Sequence, residues 1–353
     1  MRDGKLGVGL VGLGMIAKTH YLALQNQKDC YLHGCWSHTQ GAAEKWAHEH
    51  NCRAYGSFSD MLEDPDIDAV AIITPPGAHL EYALDAINAG KHVLVEKPME
   101  INTARVERMI EAANNRGVVL SCLFQSRYFE ATQYLKKAVD DGRFGTISLC
   151  DAQIKWFRSQ AYYDSAAWRG TKDIDGGGIM MQQSIHAIDL LLYIMGCDPV
   201  SIAAFTSTVS HDIEVEDTAA AALRFPGGAL GIIEGTTSAW PGSLKRIEIC
   251  GTDGQAVMEE DSITMWKFRD ERPEDEQIRQ KFSSSSSSGG SADPSAINFA
   301  GHARQYEDFA SAVKNKKSPL ITGGEGLRSV RLIEALYRSA EEGRYIQMNQ
   351  IMR

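Results

Sequence analysis

The sequence predicts two folded domains of different class: an α/β domain built on a doubly wound parallel sheet over residues 1–124, and an α+β domain with a large antiparallel sheet over residues 125–353. Three observations predict it. The chain has 353 residues, more than one core usually organises. Its first third alternates short apolar runs with stretches of helical periodicity, the pattern of parallel strands joined by crossover helices. Near Gln125 that alternation gives way to successive β-rich segments joined by short turns, which suit antiparallel neighbours.

In the first domain, Leu6 to Val11 is small and apolar, and turns through glycines into Met15 to Gln25, where apolar residues recur at helical spacing. Tyr31 to Trp36 repeats the strand and Ala42 to Glu49 the helix. Ala69 to Ile73 with His79 to Ala89 repeats both again. Val93 to Val95 and Val118 to Cys122 add two strands around a helix through Arg105 to Asn114.

The second domain opens on a helix over Ala131 to Val139. Strands follow at Thr146 to Lys155, Val200 to Thr208, Thr218 to Phe225, Ala229 to Thr237 and Lys245 to Cys250, with Pro226-Gly227-Gly228 marking one tight turn. A long helix, Ile179 to Met195, interrupts them, and helices over His302 to Lys314 and Gly324 to Glu342 close the chain. Ser283 to Ser288 with Gly289 and Gly290 cannot bury apolar surface, so residues 283–291 are expected to form a flexible connector, either a surface spacer or a lid.

Thirty-six basic against 46 acidic residues give a formal charge of -10, which argues against nucleic-acid or anionic-membrane partners. No apolar run approaches the roughly 18 residues of a membrane span. Strand-like sequence begins at Lys5, leaving no room for a signal peptide, so a cytoplasmic protein is expected. Seven scattered cysteines without a CxxC pair indicate reduced thiols, not a disulfide framework or zinc ribbon. The histidines form no HxxH or HExxH pattern, so no metal is expected.

Gly12-Leu13-Gly14-Met15-Ile16-Ala17 is a GxGxxA turn between the first strand and the first helix, the context a dinucleotide fingerprint requires. Gly12 permits the tight turn, Gly14 admits a pyrophosphate, and Ala17 lets the helix pack closely. The helix start at Met15 and Ile16 offers unpaired N–H groups to the phosphates. NAD selectivity commonly uses a carboxylate at the end of the second strand, whereas here Trp36 is followed by Ser37, His38 and Thr39. Ser37 and His38 either contact a ribose 2′-phosphate or are plain loop, and the choice between NAD and NADP stays open.

Thr74 and Pro75, with His79 nearby, follow one buried strand, and Glu96-Lys97-Pro98 follows another. Both groups lie at carboxyl ends of parallel strands, where open α/β sheets bind ligands. The residue before a proline is biased toward extended geometry, which aims Lys97 out of the sheet edge; the alternative is a surface cation paired with Glu96. Gly176-Gly177-Gly178 allows close approach to a ligand. The helix after it sets Gln182, His186 and Asp189 on one face, which suits either a pocket lining or a satisfied, partly buried histidine.

These residues together resemble the Gfo/Idh/MocA family of oxidoreductases over essentially the whole chain. The resemblance is carried by the Gly12 turn, Thr74-Pro75 with His79, Ala89 to Val93 leading into Glu96-Lys97-Pro98, Gly176 to Asp189, and Gly301-His302 with Gln305 and Asp308. It implies a Rossmann domain followed by an open antiparallel sheet domain that serves in substrate binding and oligomerisation. The activity it implies is hydride transfer between NAD or NADP and a secondary alcohol or ketone of a sugar, cyclitol or sugar derivative.

Residue by residue, the resemblance makes Lys97 the active-site lysine and His186 the general acid/base. It places Trp168 and Arg169 among cofactor contacts, and Arg127 and Gln182 with the substrate. Cyclitol dehydrogenases often carry aspartate where this chain has Gln182, and an amide exchanges no proton, which weakens an assignment to inositol. A homodimer or homotetramer follows by analogy. An NAD-dependent glycosidase of the same architecture and a noncatalytic nucleotide-binding regulator are the alternatives.

Overall fold

The computed structural model describes residues 1–2, 4–283 and 298–351. The chain divides into two compact units, Met1–Gln125 with Ile297–Leu327, and Ser126–Ala296 with Arg328–Arg353. The division near residue 125 lies where the sequence pattern changes. The return of Ile297–Leu327 to the first unit differs from a second domain continuous over 125–353.

The first unit runs β1 (Leu6–Val11), α1 (Ala17–Gln25), β2 (Cys30–Trp36), α2 (Ala42–His50), β3 (Arg53–Ala54), α3 (Phe58–Glu63), β4 (Ala69–Ile72), α4 (His79–Asn88), β5 (His92–Val95), α5 (Thr103–Arg116) and β6 (Leu120–Cys122). The strands pair in parallel in the order β3-β2-β1-β4-β5-β6. β1 and β4 are buried along their whole length, as strands covered on both faces must be. The order reverses between β1 and β4, and that reversal opens a crevice at the carboxyl ends of the strands. β3 and α3 escape the sequence reading because a two-residue strand has no periodicity to show.

In the second unit come α6 (Glu130–Asp140), β7 (Ile147–Lys155), α7 (Gln160–Asp164), a π-helical turn (Met180–Ser184) continuing into α8 (Ile185–Met195), β8 (Ser201–Ser207), β9 (Thr218–Arg224), β10 (Leu230–Thr236), β11 (Arg246–Gly251), β12 (Gly254–Glu259), β13 (Ser262–Phe268) and α9 (Pro273–Lys281). After α10 (Ala300–Asn315), α11 (Gly323–Glu342) starts within the first unit's residues and continues into the second, followed by β14 (Ile346–Gln347).

α10 explains the return to the first unit. It places Ala303, Tyr306, Phe309 and Ala310 in one core with Leu6, Val8 and Leu10 of β1 and Ala17, Ala23 and Leu24 of α1. Burying Phe309 alone stabilises this arrangement by roughly 1.5–3 kcal/mol.

The eight strands of the second unit pair in the order β13-β12-β11-β7-β10-β9-β8-β14. β7 and β10 are parallel; the other pairs are antiparallel. Burial alternates along β9 and β10, so one face is covered and the other carries exposed Phe205, Leu230 and Ile232. β12 and β13 were not expected, because a register shift at Val257/Met258 breaks the alternation that marks a strand. From residue 284 onward, the serine-rich connector expected at 283–291 lies outside the described residues. Among the described residues, no helix is long and apolar enough to cross a membrane.

Candidate active site

The GxGxxA turn sits in the crevice between β1 and β4. Gly12 has φ +97°, and a Cβ there would lie 2.9 Å from the Ile73 carbonyl oxygen, so only glycine fits. At Gly14 an added Cβ would meet nothing within 4 Å, which leaves an open approach to the backbone. No side chain caps α1 and its first turn holds no acid, so its N-terminal field faces that opening uncompensated. Across the crevice the Thr74 hydroxyl is buried with no partner among the described residues. Small backbone, unneutralised helix terminus and orphaned hydroxyl fit a dinucleotide.

At the end of β2, Ser37 is half-buried and accepts from the Thr39 amide at 3.2 Å, while His38 is exposed. No carboxylate follows before Glu44. Pro75 opens the turn into α4, its carbonyl accepting from the Ala78 amide. His79, expected near the cofactor, is fully buried and faces backbone carbonyls from both ring nitrogens, Thr74 at 2.8 Å and Pro98 at 3.0 Å. Burial pushes its pKa down. It ties the β4 loop to the β5 loop, which bears on a ligand only through the shape of those loops.

Lys97, half-buried, follows β5 at the same edge of the sheet. Glu96 turns inward instead: Oε2 accepts from the Lys97 amide at 2.9 Å and Oε1 lies 3.1 Å from His20 Nε2. Burial pushes this carboxyl up, but the His20 hydrogen bond and charge, followed by the nearby Lys97 charge, outweigh it and hold the pKa at about 2. Both oxygens are thus engaged inside the unit. His302 of α10 comes within 4.0 Å of the same carboxylate.

Nothing in the dispersed spacing of His20, Glu96 and His302 announced this cluster. Their nitrogen and oxygen atoms lie within 4.8 Å of one another, and His20 and Glu96 are directly hydrogen-bonded at 3.1 Å. Gln305 clamps the end of β6, donating to Cys122 O at 2.7 Å and accepting from the Phe124 amide at 3.1 Å. Asp308 accepts from the Leu320 amide.

In the second unit the glycine-led helix differs from its expected form. A Cβ on Gly177 would strike the Tyr337 hydroxyl at 2.2 Å, and one on Gly178 the Glu216 carbonyl at 1.7 Å. These glycines therefore admit neighbouring protein, not ligand. Glu216 accepts from the Gly178 and Met180 amides at 3.1 and 3.0 Å and from Tyr337 at 2.8 Å, and burial raises its pKa. It anchors the helix N-terminus, a role invisible in the sequence because it stands 38 residues after Gly178.

The π turn over Met180–Ser184 precedes the α-helical run. From Ile179 to Leu192 every residue is buried except Gln182 and His186. Asp189, expected on their face, is fully buried and paired with Arg127, so the polar stripe ends at His186. Arg127 is a correction as well: expected at the substrate, it is buried in a two-pronged ion pair with no surface to offer. Trp168 and Arg169 stay half-buried. The Arg169 guanidinium lies 4.6 Å from the Trp168 ring and 4.4 Å from the Tyr162 ring, and donates to the Tyr162 hydroxyl at 2.7 Å.

Residues 6–124 match the family model described as an oxidoreductase family with an NAD-binding Rossmann fold, and residues 132–257 match the GFO/IDH/MocA C-terminal domain. The WlbA dehydrogenase from Bordetella pertussis, solved with NADH and UDP-GlcNAcA, is 34% identical, covers 98% of this chain and 99% of its own, and superposes with a TM-score of 0.89. The chain belongs to the Gfo/Idh/MocA family. Myo-inositol 2-dehydrogenase of Thermotoga maritima is 27% identical over 98% of this chain and 99% of its own. Inositol 2-dehydrogenase of Rhizobium meliloti is 26% identical over 96% and 98%. This Gfo/Idh/MocA protein is an NAD(P)-dependent oxidoreductase acting on CH–OH groups, and its relatives lend no support to the glycosidase or regulator alternatives.

Proposed function

We propose that the protein oxidises a secondary hydroxyl of a sugar or cyclitol, or reduces the matching ketone, with Lys97 and His186 acting on the reacting oxygen. The observation that carries this is that between Ile179 and Leu192 only Gln182 and His186 are half-buried among otherwise buried residues. A half-buried imidazole there costs packing that an apolar residue would not. The Gly12 to Ala17 turn and Thr74 would hold the dinucleotide, whose nicotinamide would supply the hydride acceptor or donor. Lys97 donates a hydrogen bond to the oxygen and stabilises negative charge as it develops. His186 takes the proton during oxidation and returns it during reduction, since an imidazole exchanges protons near neutrality. Gln182 orients the substrate through its amide, and Trp168 with Arg169 borders the cofactor.

A nucleotide-linked amino-sugar acid is the first substrate to test, because the 34% identical WlbA dehydrogenase is described with UDP-GlcNAcA. A turnover panel of that compound, free sugars, sugar acids and inositols with NAD and NADP, followed by nicotinamide absorbance, tests the reading. With the best substrate, Lys97→Met lowers kcat while leaving nucleotide affinity. His186→Asn lowers the rate by about 10² to 10⁴ and flattens its pH dependence. Near wild-type turnover with an unchanged pH profile in His186→Asn refutes its role.

The exposed sheet face with Phe205, Leu230 and Ile232 supports a homodimer or homotetramer, to be checked by light scattering. No disulfide joins any of the seven cysteines, in keeping with a cytoplasmic location.

A further inference from the structure

Beneath the Lys97 loop lies a buried polar chain that hydride and proton transfer do not use directly. The Tyr306 hydroxyl on α10 is 2.7 Å from His20 Nδ1 on α1, His20 Nε2 is 3.1 Å from Glu96 Oε1, and Glu96 Oε2 accepts from the Lys97 amide at 2.9 Å. Tyr306, His20 and His302 are all 1% exposed or less. Resting on the role proposed above for Lys97, we propose that Glu96 is a positioning residue: its buried carboxylate, braced by Tyr306 and His20, fixes the backbone at Lys97 and keeps the Lys97 ammonium charged for the reaction.

Burial holds the Tyr306 phenol well above its ordinary pKa, so it stays protonated beside His20 Nδ1. His20 Nε2 faces the ionised Glu96 carboxylate and donates to it. Burial drives the His302 pKa down to about 3, so that ring adds no positive charge. Of the other groups facing this loop, His79 is also shifted toward neutrality by burial, and Glu100 is paired with Arg105 at 2.9 Å. A buried carboxylate needs compensation, and His20 at 3.1 Å and the adjacent Lys97 charge both supply it. The coupling is reciprocal: the carboxylate that needs Lys97 also holds its proton on.

The test reads the ammonium itself. In the full-length protein, competitive amine acylation followed by peptide mass spectrometry measures the reactivity of Lys97 against pH, with exposed Lys137 as internal reference. In the wild type Lys97 titrates at or above the pH at which Lys137 does. In Glu96→Gln, which keeps the shape and removes the charge, Lys97 reacts about tenfold or more faster at neutral pH while Lys137 is unchanged. Turnover falls by a similar factor, and the substrate KM changes less than kcat.

A Lys97 that titrates clearly below Lys137 in the wild type overturns the proposal even if Glu96→Gln fails to fold. A folded Glu96→Gln with Lys97 reactivity within twofold of wild type does so too. Labelling needs neither substrate nor cofactor, so its outcome is separate from whether a turnover substrate is found.

Discussion

Arg127 donates from Nε and Nη2 to the two carboxylate oxygens of Asp189, at 2.9 and 2.6 Å, and neither side chain is more than 1% exposed. The pair ties the start of the second unit to α8, three residues beyond His186. The Tyr193 ring packs over the guanidinium at 4.7 Å.

Such a pair costs little to replace and much to break. Arg127→Met leaves the Asp189 charge buried without its partner and is expected to cost about 3–5 kcal/mol in urea unfolding. The double variant Arg127→Met/Asp189→Leu recovers most of that loss. Equal destabilisation of the single and double variants contradicts a structural pair and reopens a substrate role for Arg127.

The two glycines of the fingerprint separate folding from binding. Gly14→Val places its side chain in open space, so the melting temperature changes little while nucleotide affinity falls at least about tenfold. Gly12→Ala is expected to destabilise the fold itself, since φ is +97° and the Ile73 carbonyl blocks the Cβ. Calorimetric titration beside thermal melting distinguishes the two; unchanged affinity in folded Gly14→Val removes the assigned nucleotide site.

Cofactor preference turns on the loop after β2. Ser37→Asp adds a negative charge where no carboxylate stands, and is expected to raise the ratio of NAD to NADP affinity by repelling a 2′-phosphate. An unaltered ratio in direct titrations of both nucleotides means the ribose lies elsewhere.

Acid sensitivity has a defined sign at His302. Burial lowers its folded pKa from 6.5 to about 3, so between those values the unfolded chain binds a proton that the folded chain refuses. Its contribution to stability is complete above pH 6.5 and is lost progressively as pH falls toward 3. Glu96, shifted from 4.5 to about 2, adds a second loss at lower pH. His302→Gln should flatten the upper part of the stability curve measured by denaturant titration from pH 7 to 4. An identical slope in wild type and variant refutes the assignment.

The order of elements, the glycine turn and the placement of Lys97 at a parallel strand end were legible in the sequence, because each depends on local rules. Strand burial shows as continuous apolar runs, helix faces as 3.6-residue spacing, and positive-φ turns as glycine. Elements without a local pattern were not: the two-residue β3, and β12 with its register shift. Only the tertiary structure decided which polar residues face a ligand. Arg127 and Asp189, 62 positions apart, neutralise each other, and Gly177 and Gly178 make room for Tyr337 and Glu216. α10, nearly three hundred residues downstream, returns to pack on β1 and α1 and sets His302 and Tyr306 against His20 and Glu96. Such pairings are set by the packing of distant segments and by the need to satisfy every buried charge and donor, and neither leaves a spacing that a linear sequence displays.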